Sequence, residues 1–135
     1  FLGLPSIAVS LVGRNFKYFK TAAHVVVDLV QKIKHAPLSS DVVLNLNVPD
    51  IPLSDLKGIK ATRLGSRHKS KKNLKDVDPY GRTIYWIGPA GKENDAGNGT
   101  DFDAINQGFA SITPLRVNLT RKSALKDLSN WLEII

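Results

Sequence analysis

The side chains able to do chemistry are few, and their spacing argues against a self-contained active site. Three histidines occur, His24, His35 and His68. No two share helical spacing, and none has a carboxylate at a metal-motif distance, so no His-based metal site is expected. His24 falls among Val and Ala and reads as a partly buried structural residue, and His35 as a helix-end charge. His68 lies among cations, which oppose the binding of another cation. Asp95, Asp101 and Asp103 cluster in a Gly-rich stretch, but the regular oxygen spacing and closing Glu of a calcium loop are missing. Thr100-Asp101 instead reads as a helix-capping pair. There is no Gly-x-Ser-x-Gly elbow, no glycine-rich phosphate loop, and no cysteine. Disulfides, thiolate metal sites and a Cys nucleophile are thereby excluded.

The strongest charge signal is local. The net charge is +7. Between Lys60 and Lys75 lie Lys60, Arg63, Arg67, Lys69, Lys71, Lys72 and Lys75 with no Asp or Glu, and the remaining basic residues balance the 12 acidic ones. Such a run attracts polyanions, keeps an edge strand soluble, or joins an oligomer contact with the neighbouring aromatics Tyr80, Tyr85 and Trp86. The aromatics flank the cations in the sequence and do not interleave with them. That order ranks an oligomer contact first and polyanion attraction second, with nucleic acid as an unfavoured partner. The contact candidates are Arg63, Arg67, His68, Lys69, Lys71, Lys72, Tyr85 and Trp86; Thr100 and Asp101 are loop candidates.

The elements that must carry these residues follow from periodicity. Ser6–Leu11 after Pro5 reads as a short buried strand, and Val12–Asn15 as a turn. Phe16, Phe19, Ala23, Val26, Val30 and Ile33 recur at threes and fours and predict a helix, N-capped by Asn15. Lys32, Lys34 and His35 suit its C-terminal dipole, and Pro37 ends it. Val42, Leu44, Leu46 and Val48 alternate with Asn45 and Asn47, giving a strand. Strand, helix and strand form a parallel βαβ crossover. Segments 58–64 and 83–87 flank the basic run and predict a projecting hairpin arm over 57–90. Thr100–Ile105 reads as a helical turn and Phe109–Leu115 as a further strand. A closing helix over 120–135, capped by Thr120 or Ser123, carries Leu125, Leu128, Trp131, Leu132 and Ile135 on one stripe. No apolar run reaches the ~20 residues of a membrane span, and the lack of Cys fits a cytoplasmic protein. The chain has no Met, and its first eleven residues are already strand-like. These features predict further polypeptide ahead of Phe1 and a chain that is a segment of a larger α/β protein.

Several runs, taken in order, resemble the SurE family of stationary-phase survival proteins, which are 5′/3′-nucleotidases. They are Leu4–Ser10, Leu44-Asn45-Leu46-Asn47-Val48-Pro49, Lys57–His68, and Asp78-Pro79-Tyr80-Gly81-Arg82-Thr83-Ile84-Tyr85-Trp86-Ile87-Gly88. Gly99-Thr100-Asp101-Phe102, Gly108–Leu115 and Trp131-Leu132 complete the series. The resemblance spans about Phe1 to Ile135 and implies the C-terminal half of a three-layer α/β/α Rossmann-like SurE fold. It also implies a divalent-metal phosphohydrolase acting on nucleoside monophosphates, with some members trimming polyphosphate. In the family the Mg or Mn ion is held by an Asn-Asp-Asp-Gly motif, a Ser and an Asn in the first half. None of these motifs lies in this chain, so no catalytic or metal residue is carried over, and the isolated 135 residues are expected to be inactive. Family members form dimers or tetramers through the hairpin and the terminal helix. Lys69-Ser70-Lys71-Lys72 departs from the family pattern in being unusually lysine-rich.

Overall fold

The computed structural model describes residue 4 and residues 6–39, 41–116 and 118–134; Pro5 and Ile135, named above, lie outside them. The order is β1 (Ser6–Val12), α1 (Phe19–His35), β2 (Val42–Pro49), β3 (Ile59–Ala61), β4 (Ser66–Arg67), β5 (Leu74–Val77), β6 (Thr83–Trp86), β7 (Glu93–Asp95), α2 (Asp101–Asn106), β8 (Ala110–Arg116) and α3 (Leu125–Leu132). The four-stranded sheet runs β1-β2-β8-β3. β1 and β2 are parallel, with Ile7 beside Leu44 and Leu11 beside Val48. α1 is the crossover that this pairing requires. β8 returns antiparallel to β2 and parallel to β3.

The alternation of β2 places Leu44, Leu46 and Val48 under α1. Leu46 and Val48 are fully buried, and they form the core with Ala22, Val25, Leu29 and Ala110. Each large aliphatic side chain buried this way contributes roughly 1.5–3 kcal/mol. The opposite face is polar. Asn45 is registered with Thr113 and Asn47 with Ser111. The Thr62 and Thr113 hydroxyls share a hydrogen bond of 2.7 Å. Asn47 Nδ2 donates to Ser111 Oγ at 3.5 Å. Ser111 and Thr113 are buried, and no buried side-chain polar atom lacks a partner among the described residues.

Six expectations are corrected. β1 is not a buried strand: it is an edge, with Val9 and Val12 exposed. α1 begins at Phe19, and Asn15 does not cap it. The carboxylate of Asp50, at the end of β2, accepts the backbone N–H of Lys17 (3.0 Å) and Tyr18 (2.8 Å). Asp50 thereby satisfies free donors at the helix start from 33 residues away. Gly13 makes room for it, since a Cβ there would lie 2.7 Å from Asp50 Cβ.

The buried side of α1 is Thr21, Ala22, Val25 and Leu29, one step round from the expected stripe. Phe16, Phe19 and Val30 of that stripe are exposed. The helix is apolar on two sides, and periodicity selected the side with the larger residues. That outer side meets β1 across an open apolar groove of about 410 Å³, lined by Ile7, Val9, Val26, Val30 and Ile33 with Ser6 and Lys34 at its rim. His24 is also exposed, its Nε2 3.5 Å from Asp28 Oδ2.

The arm is paired differently from the expected 58–64 with 83–87. β3 joins the main sheet, and β6 pairs with β5, so the ribbon runs from Arg63 to Thr100, which bridge at its base. α3 follows a single 3-10 turn, Lys122–Ala124, and has no side-chain cap from Thr120 or Ser123. Its stripe of Leu125, Leu128, Trp131 and Leu132 is more than half exposed.

Candidate functional site

The ribbon consists of two short antiparallel pairs, β4 with β7 and β5 with β6, joined by a connecting stretch. Arg67 faces Glu93, and His68 N–H donates to Lys92 O and Lys71 N–H to Pro89 O. Leu74 then faces Trp86, Lys75 faces Tyr85, and Val77 faces Thr83. Between Arg67 and Leu74 the two arms run side by side without regular strand pairing. Gly88 and Gly91 permit it, because a Cβ at either would collide with the carbonyls of Lys71 or His68. The tip is a turn in which Asp78 accepts from the backbone N–H of Tyr80 and Arg82, both at 2.9 Å, and from Arg82 Nε at 2.7 Å.

The arginines are all engaged. Arg63 pairs through both terminal nitrogens with Asp95, Nη2 to Oδ1 at 3.0 Å. That bond holds the Asp95 carboxyl below the ordinary range and raises Arg63. Arg67 lies 4.7 Å over the Phe102 ring, and Arg82 5.3 Å over Tyr80. The Trp86 Nε1–H donates to Asp76 Oδ2 at 3.0 Å, and this bond is the leading cause of the lowered Asp76 carboxyl. Tyr85 and Trp86 are otherwise about two-thirds exposed. His68, Lys69, Lys71 and Lys72 are exposed along the ribbon.

Thr100 and Asp101 do structural work at the ribbon's base. Thr100 is fully buried; its hydroxyl donates to Gly97 O at 2.8 Å and accepts from Asp103 N–H at 3.1 Å, capping α2. Asp101 Oδ1 accepts from Gly65 N–H at 2.8 Å and from Phe102 N–H at 3.0 Å. The three loop carboxylates thus face different partners: Asp95 takes Arg63, Asp101 takes backbone donors and Asp103 takes Gln107 Nε2. Among the described residues no group of three or more His, Asp or Glu could hold a metal ion. The acidic residues here do not fit one.

The family described as Survival protein SurE matches residues 1–71, more than half of the chain. The chain belongs to the SurE family. It is 51% identical over 133 residues to the 5′-nucleotidase SurE of Coxiella burnetii (strain RSA 493 / Nine Mile phase I), covering 98% of this chain and 52% of that protein. With the 5′-nucleotidase SurE of Methylococcus capsulatus it shares 52% identity over 132 residues, 98% of this chain and 53% of the relative. The crystal structure of SurE from Aquifex aeolicus superposes with a TM-score of 0.75 at 40% identity, over 98% of this chain and 53% of that one. The chain spans about half the length of the SurE relatives it matches. Its α/β class agrees with the expected fold, and no helix among the described residues is long and apolar enough to cross a membrane.

For a SurE chain, the residue that spacing did not reveal is Asp50. Its role depends on a contact across the crossover, and the only local sign was an acid closing the Asn-Val-Pro run. The polar sheet face had a clearer sign in the strict alternation of Asn45 and Asn47.

Proposed function

We propose that this chain is the assembly half of a 5′-nucleotidase that releases phosphate from nucleoside monophosphates, with the metal-binding chemistry on the part of the SurE relatives' length that it does not cover. The supporting observation is the open flank of β1 and α1. An unpaired parallel edge, an exposed apolar helix side and the groove between them suit further strands and helices of a doubly covered sheet. When bound there, a divalent Mg or Mn ion would polarise the phosphoryl group and activate a water. The residues of this chain would complete the sheet that positions it. The nucleotidase name belongs to the relatives; their identity of about half over nearly this whole chain supports carrying it here.

The second part of the proposal is a homodimer or homotetramer built by the ribbon and α3. Leu125, Leu128, Trp131 and Leu132 on α3, with Leu74 and Trp86 on one side of the ribbon, expose more large apolar surface than an isolated element keeps. Replacing Leu128 and Trp131 with Asp is expected to lower the mass seen by light scattering.

The enzymatic reading is tested on a full-length protein carrying this chain. Phosphate release from a nucleoside monophosphate should depend on Mg or Mn and stop with a chelator. A full-length protein that releases no phosphate under those conditions would overturn it.

A further inference from the structure

We propose that the lysine-rich arm of the ribbon, with Tyr85 beside Lys75, is a binding surface for single-stranded nucleic acid, separate from the nucleotidase reading. The first observation is a division between cation types. Arg63 and Arg82 are paired with carboxylates, and Arg67 is stacked on Phe102. Lys69, Lys71, Lys72, Lys75 and Lys92 have no carboxylate within ion-pair distance among the described residues. Arginines hold the ribbon's shape, and the lysines are left for solvent or a partner.

The second observation is the register. Directly opposed residues of an antiparallel pair share a face, so Lys75 and Tyr85 lie on one side and Leu74 and Trp86 on the other. Lys69, Lys71 and Lys72 lie on the connecting segment that leads into this pair, exposed to solvent. Lys75 and Tyr85, ten residues apart in sequence, are therefore neighbours on one face, and three further exposed lysines precede them on the same arm. Fully extended, the segment from Lys69 to Lys75 would reach about 20 Å at ~3.3 Å per residue.

The chemistry this face suits is a flexible strand with both phosphates and bases. Lysines neutralise backbone phosphates, and an exposed aromatic beside them gives a base a ring to stack on. Inorganic polyphosphate would use the lysines but has nothing to offer Tyr85. The apolar Leu74–Trp86 side stays available for the oligomer contact proposed above, so both roles fit one ribbon.

The test is fluorescence anisotropy with a labelled oligouridine on the 135-residue chain, over a range of salt, with folding of each variant checked by circular dichroism. The chain should bind at low salt. Combined Lys69→Ala, Lys71→Ala and Lys75→Ala should flatten the slope of log affinity against log salt by about 2, at ~0.7 per phosphate for a single strand. Tyr85→Ala should weaken binding about tenfold, with Tyr85→Phe restoring it. Lys20→Ala, on α1, serves as a charge control and should change nothing. No binding at low salt would overturn the proposal, as would a triple variant that binds like the parent. So would inorganic polyphosphate competing equally, charge for charge, with Tyr85→Ala silent, since that outcome describes an anion surface that does not read bases. Nucleotidase assays enter none of these readings, so either proposal can fail alone.

Discussion

The body and the ribbon are built on different physical terms. The body, β1 to β3 with β8 and α1, is held by apolar burial: Leu46 and Val48 are fully enclosed beneath Val25 and Leu29. In the ribbon no residue between Arg63 and Gly99 is buried. It is kept in shape by the paired backbone, by Arg63 on Asp95, and by Asp78 closing the tip. An isolated two-stranded ribbon is marginal in water. What the contrast teaches is where each part should be sensitive: the body to lost volume, and the ribbon to charge and pH.

The largest effect expected is in the body. Leu46→Ala should cost about 3 kcal/mol by urea unfolding, through lost transfer energy and the cavity left behind. Tyr80→Ala, at the exposed ribbon tip, should stay within about 0.5 kcal/mol. Comparable losses at both positions would erase the distinction.

The next effect lies where body elements meet. Asp50→Ala removes the acceptor for two N–H groups at the start of α1 and should cost about 1 kcal/mol. Asp50→Asn should recover part of that loss. Gly13→Ala should act in the same direction, because its Cβ would press on Asp50. If amide exchange at Lys17 and Tyr18 is unchanged in Asp50→Ala, the long-range contact is wrong.

The smallest effect is confined to the ribbon's base. Asp95 has its carboxyl lowered by the hydrogen bond from Arg63. Its contribution is present above the ordinary carboxylate value of about 3.9 and is lost as pH falls through the lower folded value. Protection of Arg63 N–H and Asp101 N–H, which close the base, measured against the intrinsic exchange rate at each pH, should therefore fall on acidification below about pH 4 while that of the core amides of β2 holds. Asp95→Asn should remove that pH dependence.

What could be read in the sequence was local. The alternation of Val42 to Val48 placed β2 and its polar reverse face, and Thr100 ahead of α2 showed its cap because donor and acceptor are three residues apart. The parallel crossover followed from element order. Three features were not legible, each because it depends on a distant partner. Asp50 caps a helix 33 residues earlier in the chain. The choice between the two apolar sides of α1 is made by the sheet, which periodicity cannot see. The close approach of the ribbon's two arms rests on Gly88 and Gly91 meeting backbone 17 and 23 residues back, at Lys71 and His68. As for the candidate site, the sequence located its cations and aromatics but not the face that joins Lys75 to Tyr85.

The central claim is that the nucleotidase chemistry needs polypeptide beyond these residues, seated on β1 and α1. The direct measurement is phosphate release from a nucleoside monophosphate with Mg or Mn, by the 135-residue chain alone and after adding the uncovered half of a SurE relative. The account predicts no release from the chain alone and metal-dependent release from the mixture. Metal-dependent release by the chain alone would contradict it.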